Sequence, residues 1–221
     1  MADHMIKLSE VPKGQKLQYL WDYYRFIALG TVVGLILVIS LVKTIFFTPK
    51  ADVGIICTTE YELSDENGAN FDKAIENALE DYNGDGKKLS ETTRLAYSEK
   101  SANSDPQYAQ AVLTKINVEL AAGTSIMQIC DDSLYPTYAN NGCAATYKVF
   151  KDFGVDINRG SDDEIVKIPF SEIKSLANVK SANGAELYIT VRPPMEKWYN
   201  KEKQRKIYTD NLKFIAKLVN E

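Results

Sequence analysis

"SDPQYAQAVLTKINVELAAGTSIMQIC", residues 104–130, is the stretch on which the fold turns. Asp105 has the side chain of a helix N-cap, and Pro106 follows in the first turn, where a missing N–H leaves no partner unsatisfied. Gly123 is a C-terminal stop. The chain between them is predicted as one helix. Immediately after it, "SIMQIC" (125–130) is an apolar run of strand length. A helix that hands directly to a buried strand is the building unit of an α/β sheet.

The same alternation extends outward on both sides. "DVGIIC" (52–57) is apolar and β-branched, which predicts a buried strand. "ANFDKAIENALEDY" (69–82) puts Phe71, Ala74, Ile75, Ala78, Leu79 and Tyr82 on one helical face. "TRLAYS" (93–98) is another strand. Beyond residue 130 the pattern loosens. "AATYKVFKDFG" predicts a short helix ending at Gly154, "EIVKIP" (164–169) a strand, and "FSEIKSLANV" a short helix with Ser171 as its cap. "AELYITVR" (185–192) alternates Leu187, Ile189 and Val191 against Tyr188 and Thr190, and Pro193 and Pro194 end it. A helix over 201–219, with Ile207, Tyr208, Leu212, Ile215, Leu218 and Val219 on its apolar side, closes the chain. Strands alternating with helices predict a parallel sheet with right-handed crossovers. Residues 51–221 therefore read as a single three-layer α/β domain with a mainly parallel sheet.

Upstream of this domain, "FIALGTVVGLILVISLVKTIFF" (26–47) carries one charge, Lys43. About 20 apolar residues cross a bilayer core, and a lysine near the end reaches the interface. Tyr19, Trp21, Tyr23 and Tyr24 precede the run, where an aromatic belt belongs. A buried core helix is the competing reading, and the length, the belt and the lack of amphipathic alternation speak against it. Lys7, Lys13, Lys16 and Arg25 come before the span, whereas only Lys43 and Lys50 follow closely. That bias predicts residues 1–25 as a cytoplasmic leader and the domain as extracytoplasmic. A cleaved signal peptide is the rival. The long leader and "FFTPKAD", which offers no A-x-A-like site, favour an uncleaved signal anchor. "GTVVG" (30–34) also matches the small-xxx-small pattern of helix pairs in membranes, so a homodimer is one expected partner arrangement.

Of 26 Lys+Arg and 30 Asp+Glu, the first 50 residues hold 6 and 3. The domain is left with 20 and 27, a net charge of −7. An acidic domain has no electrostatic footprint for nucleic acid or for an anionic bilayer surface.

Two resemblances follow from these segments. Residues 51–132, with "LTKINVELAAG" closing the second helix and Asp131–Asp132 after the third strand, resemble the N-terminal lobe of extracellular solute-binding proteins. That resemblance implies one lobe of a periplasmic-binding-protein type II fold, with no room for a second lobe. The whole chain, through "LQYLWDYYRF", "DYNGDGK", "VELAAGTS" and "ELYITVRP…YTDNLKFIAKLV", is similar to a group of uncharacterised single-pass membrane proteins of Gram-positive anaerobes. This second resemblance implies the architecture and no activity.

Candidate chemistry is sparse. "DYNGDGKKLSET" (81–92) begins like a calcium loop, with Asp81, Asn83 and Asp85 alternating and Gly86 at the turn. An EF-hand needs a bidentate carboxylate at position 12, which here is Thr92, and a helix afterwards. The motif is therefore either a weak calcium site completed from elsewhere or a polar turn from helix to strand. Glu60, Asp131 and Asp132 follow strand ends, where open parallel sheets place ligand crevices, and Tyr61, Tyr135 and Tyr138 share those loops. Together they form a candidate rim for a ligand or partner, with a solvated edge as the alternative. The one histidine, His4, lies in the leader, so no histidine triad or zinc cluster forms in the domain. "CTTEYELSDENG" lacks a phosphate-binding glycine pattern. Cys57, Cys130 and Cys143 read as free core thiols, with a Cys130–Cys143 bridge as the alternative. The expected function is a non-catalytic module in the cell membrane that binds a partner protein or small ligand. An assembly subunit of a membrane complex and a carboxylate-dependent enzyme are the rivals.

Overall fold

The computed structural model describes Pro12, Gly14, residues 16–47 and residues 49–220. Lys7, Lys13 and His4 lie outside the described residues, as do the side chains of Tyr19, Tyr23 and Tyr24. The chain divides into two units, Met1–Thr48 and Pro49–Glu221.

The first unit contains α1 (Lys16–Phe47), 32 residues long. Its segment Arg25–Thr44 has a mean hydropathy of 2.4 and none of it is buried. Thr31 and Thr44 donate their hydroxyls to carbonyls one turn back, at 2.8 and 3.0 Å. These two hydroxyls are thus satisfied inside the helix, the arrangement an apolar surrounding favours. This is an N-terminal apolar helix compatible with a membrane anchor or a signal sequence.

The second unit is built on a five-stranded sheet of order β2–β1–β3–β5–β4. The strands are β1 (Val53–Thr59), β2 (Ser90–Ala96), β3 (Met127–Asp131), β4 (Ile168–Pro169) and β5 (Leu187–Val191). β1 runs parallel to both β2 and β3. β5 is antiparallel to β3, and β4 is antiparallel to β5. The predicted parallel core is present, but the far side of the sheet reverses. Alternation in "AELYITVR" marks a strand and carries no polarity, so its direction was not readable. β1 is buried along nearly its whole length, as a central parallel strand should be.

The helices follow from local chemistry. α2 (Asp65–Ala78) begins four residues before the predicted start, because Ser64 caps it by accepting the Asn67 N–H. α3 (Glu99–Ser104) was not predicted; Ser98 and Ser101 form a reciprocal capping box there. α4 (Pro106–Ala122) has the predicted limits: Asp105 accepts the Tyr108 N–H at 3.0 Å, and Gly123 takes the left-handed conformation at φ 70°. α5 (Tyr135–Asn140), α6 (Lys148–Asp152) and α7 (Glu196–Asn200) are short, and α8 (Glu202–Val219) is the predicted terminal helix.

Two expectations are corrected. The strand predicted over 164–169 shrinks to the two residues of β4, preceded by an isolated bridge from Ile165 to Thr146. The short helix predicted over 170–179 is a 3-10 turn at Phe170–Glu172 followed by further turns. Phe170, Ile173, Leu176 and Val179 are all buried, and each of the last three donates its N–H to the carbonyl of the one before. Their spacing is three, the period of successive tight turns, and not 3.6.

One sheet face carries Val53, Ile55, Cys57, Met127, Ile129, Leu187, Ile189 and Val191 into the main core, against Phe71 and Ile75 of α2 and Leu212, Ile215 and Leu218 of α8. Trp198 stacks on Tyr208, whose hydroxyl donates to the Arg192 carbonyl. At the start of β1, Gly54 lies so close to the backbone of Thr124 that a Cβ would run into the Thr124 carbonyl. Gly54→Ala is therefore expected to destabilise the domain by about 3 kcal/mol, since backbone rather than a mobile side chain must give way. Chemical denaturation measures this, and an unchanged midpoint would contradict the close approach.

Candidate functional site

Because β1 and β3 are parallel neighbours, their C-terminal ends leave the sheet side by side. The structure joins these ends through Asp131. Its carboxylate accepts the Glu60 N–H at 2.6 Å on one oxygen, and the Ser133 hydroxyl (2.6 Å) and Leu134 N–H (3.2 Å) on the other. Asp131 is 1% exposed, so both oxygens are committed to holding the loops. Tyr138 also points inward; its hydroxyl donates to Thr58 Oγ1 at 2.8 Å, and burial pushes its pKa well up. Two of the six predicted rim residues are therefore the frame beneath the rim.

The other four are split between two surfaces. Glu60 and Tyr61, with Glu62, line an open hollow of about 380 Å³ completed by Ser98, Lys100 and Tyr108. Thr59 holds this loop by donating its hydroxyl to the Tyr61 carbonyl at 2.6 Å. Asp132 and Tyr135 lie in a separate cluster. Asp132 accepts Lys167 Nζ at 3.0 Å and the Tyr188 hydroxyl at 3.0 Å. The Lys167 ammonium sits 4.0 Å from the Tyr188 ring centre and 4.5 Å from that of Tyr135. The lysine hydrogen bond holds the Asp132 carboxyl below its ordinary range. Burial first, and the neighbouring Asp132 second, push Tyr188 up to about 12.

Lys167 and Tyr188 were not among the predicted site residues. Neither lies near Asp132 in sequence, and only the antiparallel placement of β5, with Tyr188 opposite Cys130, brings them there.

Asp81, Asn83 and Asp85 lie in the loop from α2 to β2. Asp81 accepts the N–H groups of Gly84, Asp85 and Gly86 at 2.7, 3.2 and 2.8 Å. Asn83 accepts from Asp85 and Asp85 from Lys87, both at 2.9 Å. Gly84 and Gly86 take φ values of 77° and 81°, which their lack of a Cβ permits. The side-chain oxygens of the motif thus organise its own backbone as a nest of Asx turns. Among the described residues no group of three or more His, Cys, Asp or Glu side chains is arranged to hold a metal ion.

The three cysteines are free thiols. Cys57 faces the main core, whereas Cys130 pairs with Thr58, one register step on, and so faces the opposite side. Burial pushes the Cys57 thiol up to about 12 and raises Cys130 as well. Both are protonated at neutral pH and are poor nucleophiles.

The chain matches no family model, no curated protein and no solved structure.

The contrast between adjacent aspartates is measurable. Asp131→Ala leaves the buried Glu60 N–H without its acceptor, removes that of the Ser133 hydroxyl, and leaves the Leu134 N–H only the Asp131 carbonyl, and should cost about 3 kcal/mol in chemical denaturation. Asp132→Ala, at a side chain 67% exposed, should cost less than about 1 kcal/mol. Equal losses would contradict the separation into frame and rim.

Proposed function

We propose that the chain is a membrane-anchored, extracytoplasmic binding module that docks a partner protein at the β1 and β3 strand ends. The observation that carries this reading is the hollow beside Glu60, Tyr61 and Glu62. It opens to solvent, whereas sites for small molecules bury most of the ligand surface. A protruding segment of a partner suits an open hollow with two tyrosines and several polar groups on its walls. The resemblance of residues 51–132 to a solute-binding lobe supports the choice of the strand ends as the recognition side. α1 adds a physical advantage: a tether in the bilayer raises the effective concentration of a membrane partner, so a weak contact suffices.

A second reading, an assembly subunit contacting its complex through α1, rests on Gly30 and Gly34. These lie one turn apart, with nothing among the described residues within 4 Å of a Cβ at either position.

Orientation is tested by thiol labelling of intact cells in a Cys143→Ala background. Glu66→Cys should react with a membrane-impermeant reagent and Glu10→Cys should not; the reverse pattern defeats the extracytoplasmic assignment. Docking is tested with photo-crosslinking residues at Tyr61 and Tyr108 in native membranes. The expected result is one specific adduct that is lost in the double variant Glu60→Lys, Glu62→Lys. An adduct that survives the charge reversal, or none at all, defeats the docking site.

A further inference from the structure

The cluster around Lys167 has the form of a receptor that contains its own ligand. Four separate segments build it: Asp132 follows β3, Tyr135 opens α5, Lys167 precedes β4 and Tyr188 lies in β5. The rings of Tyr135 and Tyr188 stand 6.4 Å apart between centres and 51° from coplanar, forming a two-walled corner. An ammonium lies within cation–π range of both walls and 3.0 Å from the carboxylate. Two aromatic faces and one carboxylate are the groups that recognise an organic cation: the rings attract its charge and cover its carbons, and the acid neutralises it.

The other three groups of the corner have anchors besides the lysine. Tyr188 is fixed by the pairing of β5 with β3, and its hydroxyl donates to Asp132 Oδ2, leaving Oδ1 for the cation. Tyr135 belongs to α5, which Tyr138 fastens to Thr58. Lys167 itself is held less firmly. Among the described residues its ammonium makes one hydrogen bond, to Asp132, and its side chain is 34% exposed. A four-carbon stem at that exposure can swing its charge into solvent.

We infer that the corner of Tyr135, Tyr188 and Asp132 is a recognition site for an organic ammonium group, with Lys167 as an internal occupant that the ligand displaces. The inference stands on this cluster and not on the docking hollow. An internal occupant lowers the apparent affinity by the fraction of time it fills the site, so its removal strengthens binding without changing the walls. The ligand is either a small alkylated amine or the lysine side chain of a partner, and both present the same chemistry to the corner.

The test is a titration of the full chain in a maltoside detergent, with ring-labelled tyrosine followed by NMR. The probes are tetramethylammonium and n-butylammonium chloride, with sodium chloride as the reference. In the wild-type chain both organic cations should shift the Tyr135 and Tyr188 signals beyond the sodium reference, saturating in the millimolar range. Lys167→Ala and Lys167→Gln should each bind at least about tenfold more tightly, in line with loss of a dominant competitor. Adding Asp132→Asn or Tyr188→Leu to either variant should abolish the gain. Preference for the quaternary probe assigns a small alkylated amine, and preference for the primary probe assigns a partner lysine. The absence of a wild-type shift beyond sodium, or an unchanged affinity in a lysine variant that melts cooperatively, overturns the inference. The wild-type titration decides even where a variant fails to fold.

Discussion

A parallel strand has no hairpin to define where it begins and ends. Here two buried carboxylates define both ends of β1. At its start, Asp52 accepts the Asn83 N–H at 2.9 Å and the Leu89 N–H at 3.0 Å, and its own N–H donates to the Leu89 carbonyl. At its finish, Asp131 reaches across from β3 to the Glu60 N–H. Burying a carboxylate costs several kcal/mol unless donors replace its water, and backbone N–H groups aimed at the charge do so at each site. The first carboxylate sets β2 against β1, with Val53 opposite Ser90. The second sets β3, with Ile55 opposite Met127. The rim, the hollow and the α2–β2 loop all depend on that register.

The legible part of the fold was the part governed by local signals. The limits of α4 follow from Asp105, Pro106 and Gly123, which act within one turn of themselves, and they were read directly. The start of α2 was missed because Ser64 stands before a polar first turn, so the apolar period begins only at Phe71. The illegible part was set by pairing partners distant in sequence. Thr190 alternates with the apolar face of β5, yet it too is fully buried, opposite Gln128, which is also buried. Among the described residues, Thr190 Oγ1 and both amide atoms of Gln128 find no hydrogen-bond partner. Alternation assigns such residues to a face of the strand, but only the tertiary packing decides whether that face is wet.

The candidate site shows the same division. The principle that parallel strands present their C-terminal ends to ligands pointed to the loops after β1 and β3, and Glu60, Tyr61, Asp132 and Tyr135 sit in those loops, half-buried or exposed. It did not distinguish them from Asp131 and Tyr138, which share the same loops. Side-chain direction separates them: Asp131 is the last residue of β3 and turns inward, while Asp132 turns out. The calcium-loop motif is a related case. Its alternating oxygens were legible, but that Asp81 accepts the N–H groups of Gly84, Asp85 and Gly86 was not, because this depends on loop geometry.

The commitment of Asp131 also bears on what chemistry the strand ends can perform. General base catalysis needs a carboxylate with a lone pair aimed at the substrate. Asp131 has both oxygens occupied, and Asp132 carries a lysine and a tyrosine hydroxyl, which hold it ionised and screened. Glu60 lines the hollow with Glu62. The three carboxylates thus have different partners: Asp131 holds its loops, Asp132 holds Lys167 and Tyr188, and Glu60 lines the hollow. Recognition of a partner, as proposed above, does not need carboxylates to converge on one reacting atom. Under the proposed function, unlike patches around one floor favour a partner that touches several points at once, and the net charge of −7 on the domain favours one that carries positive charge.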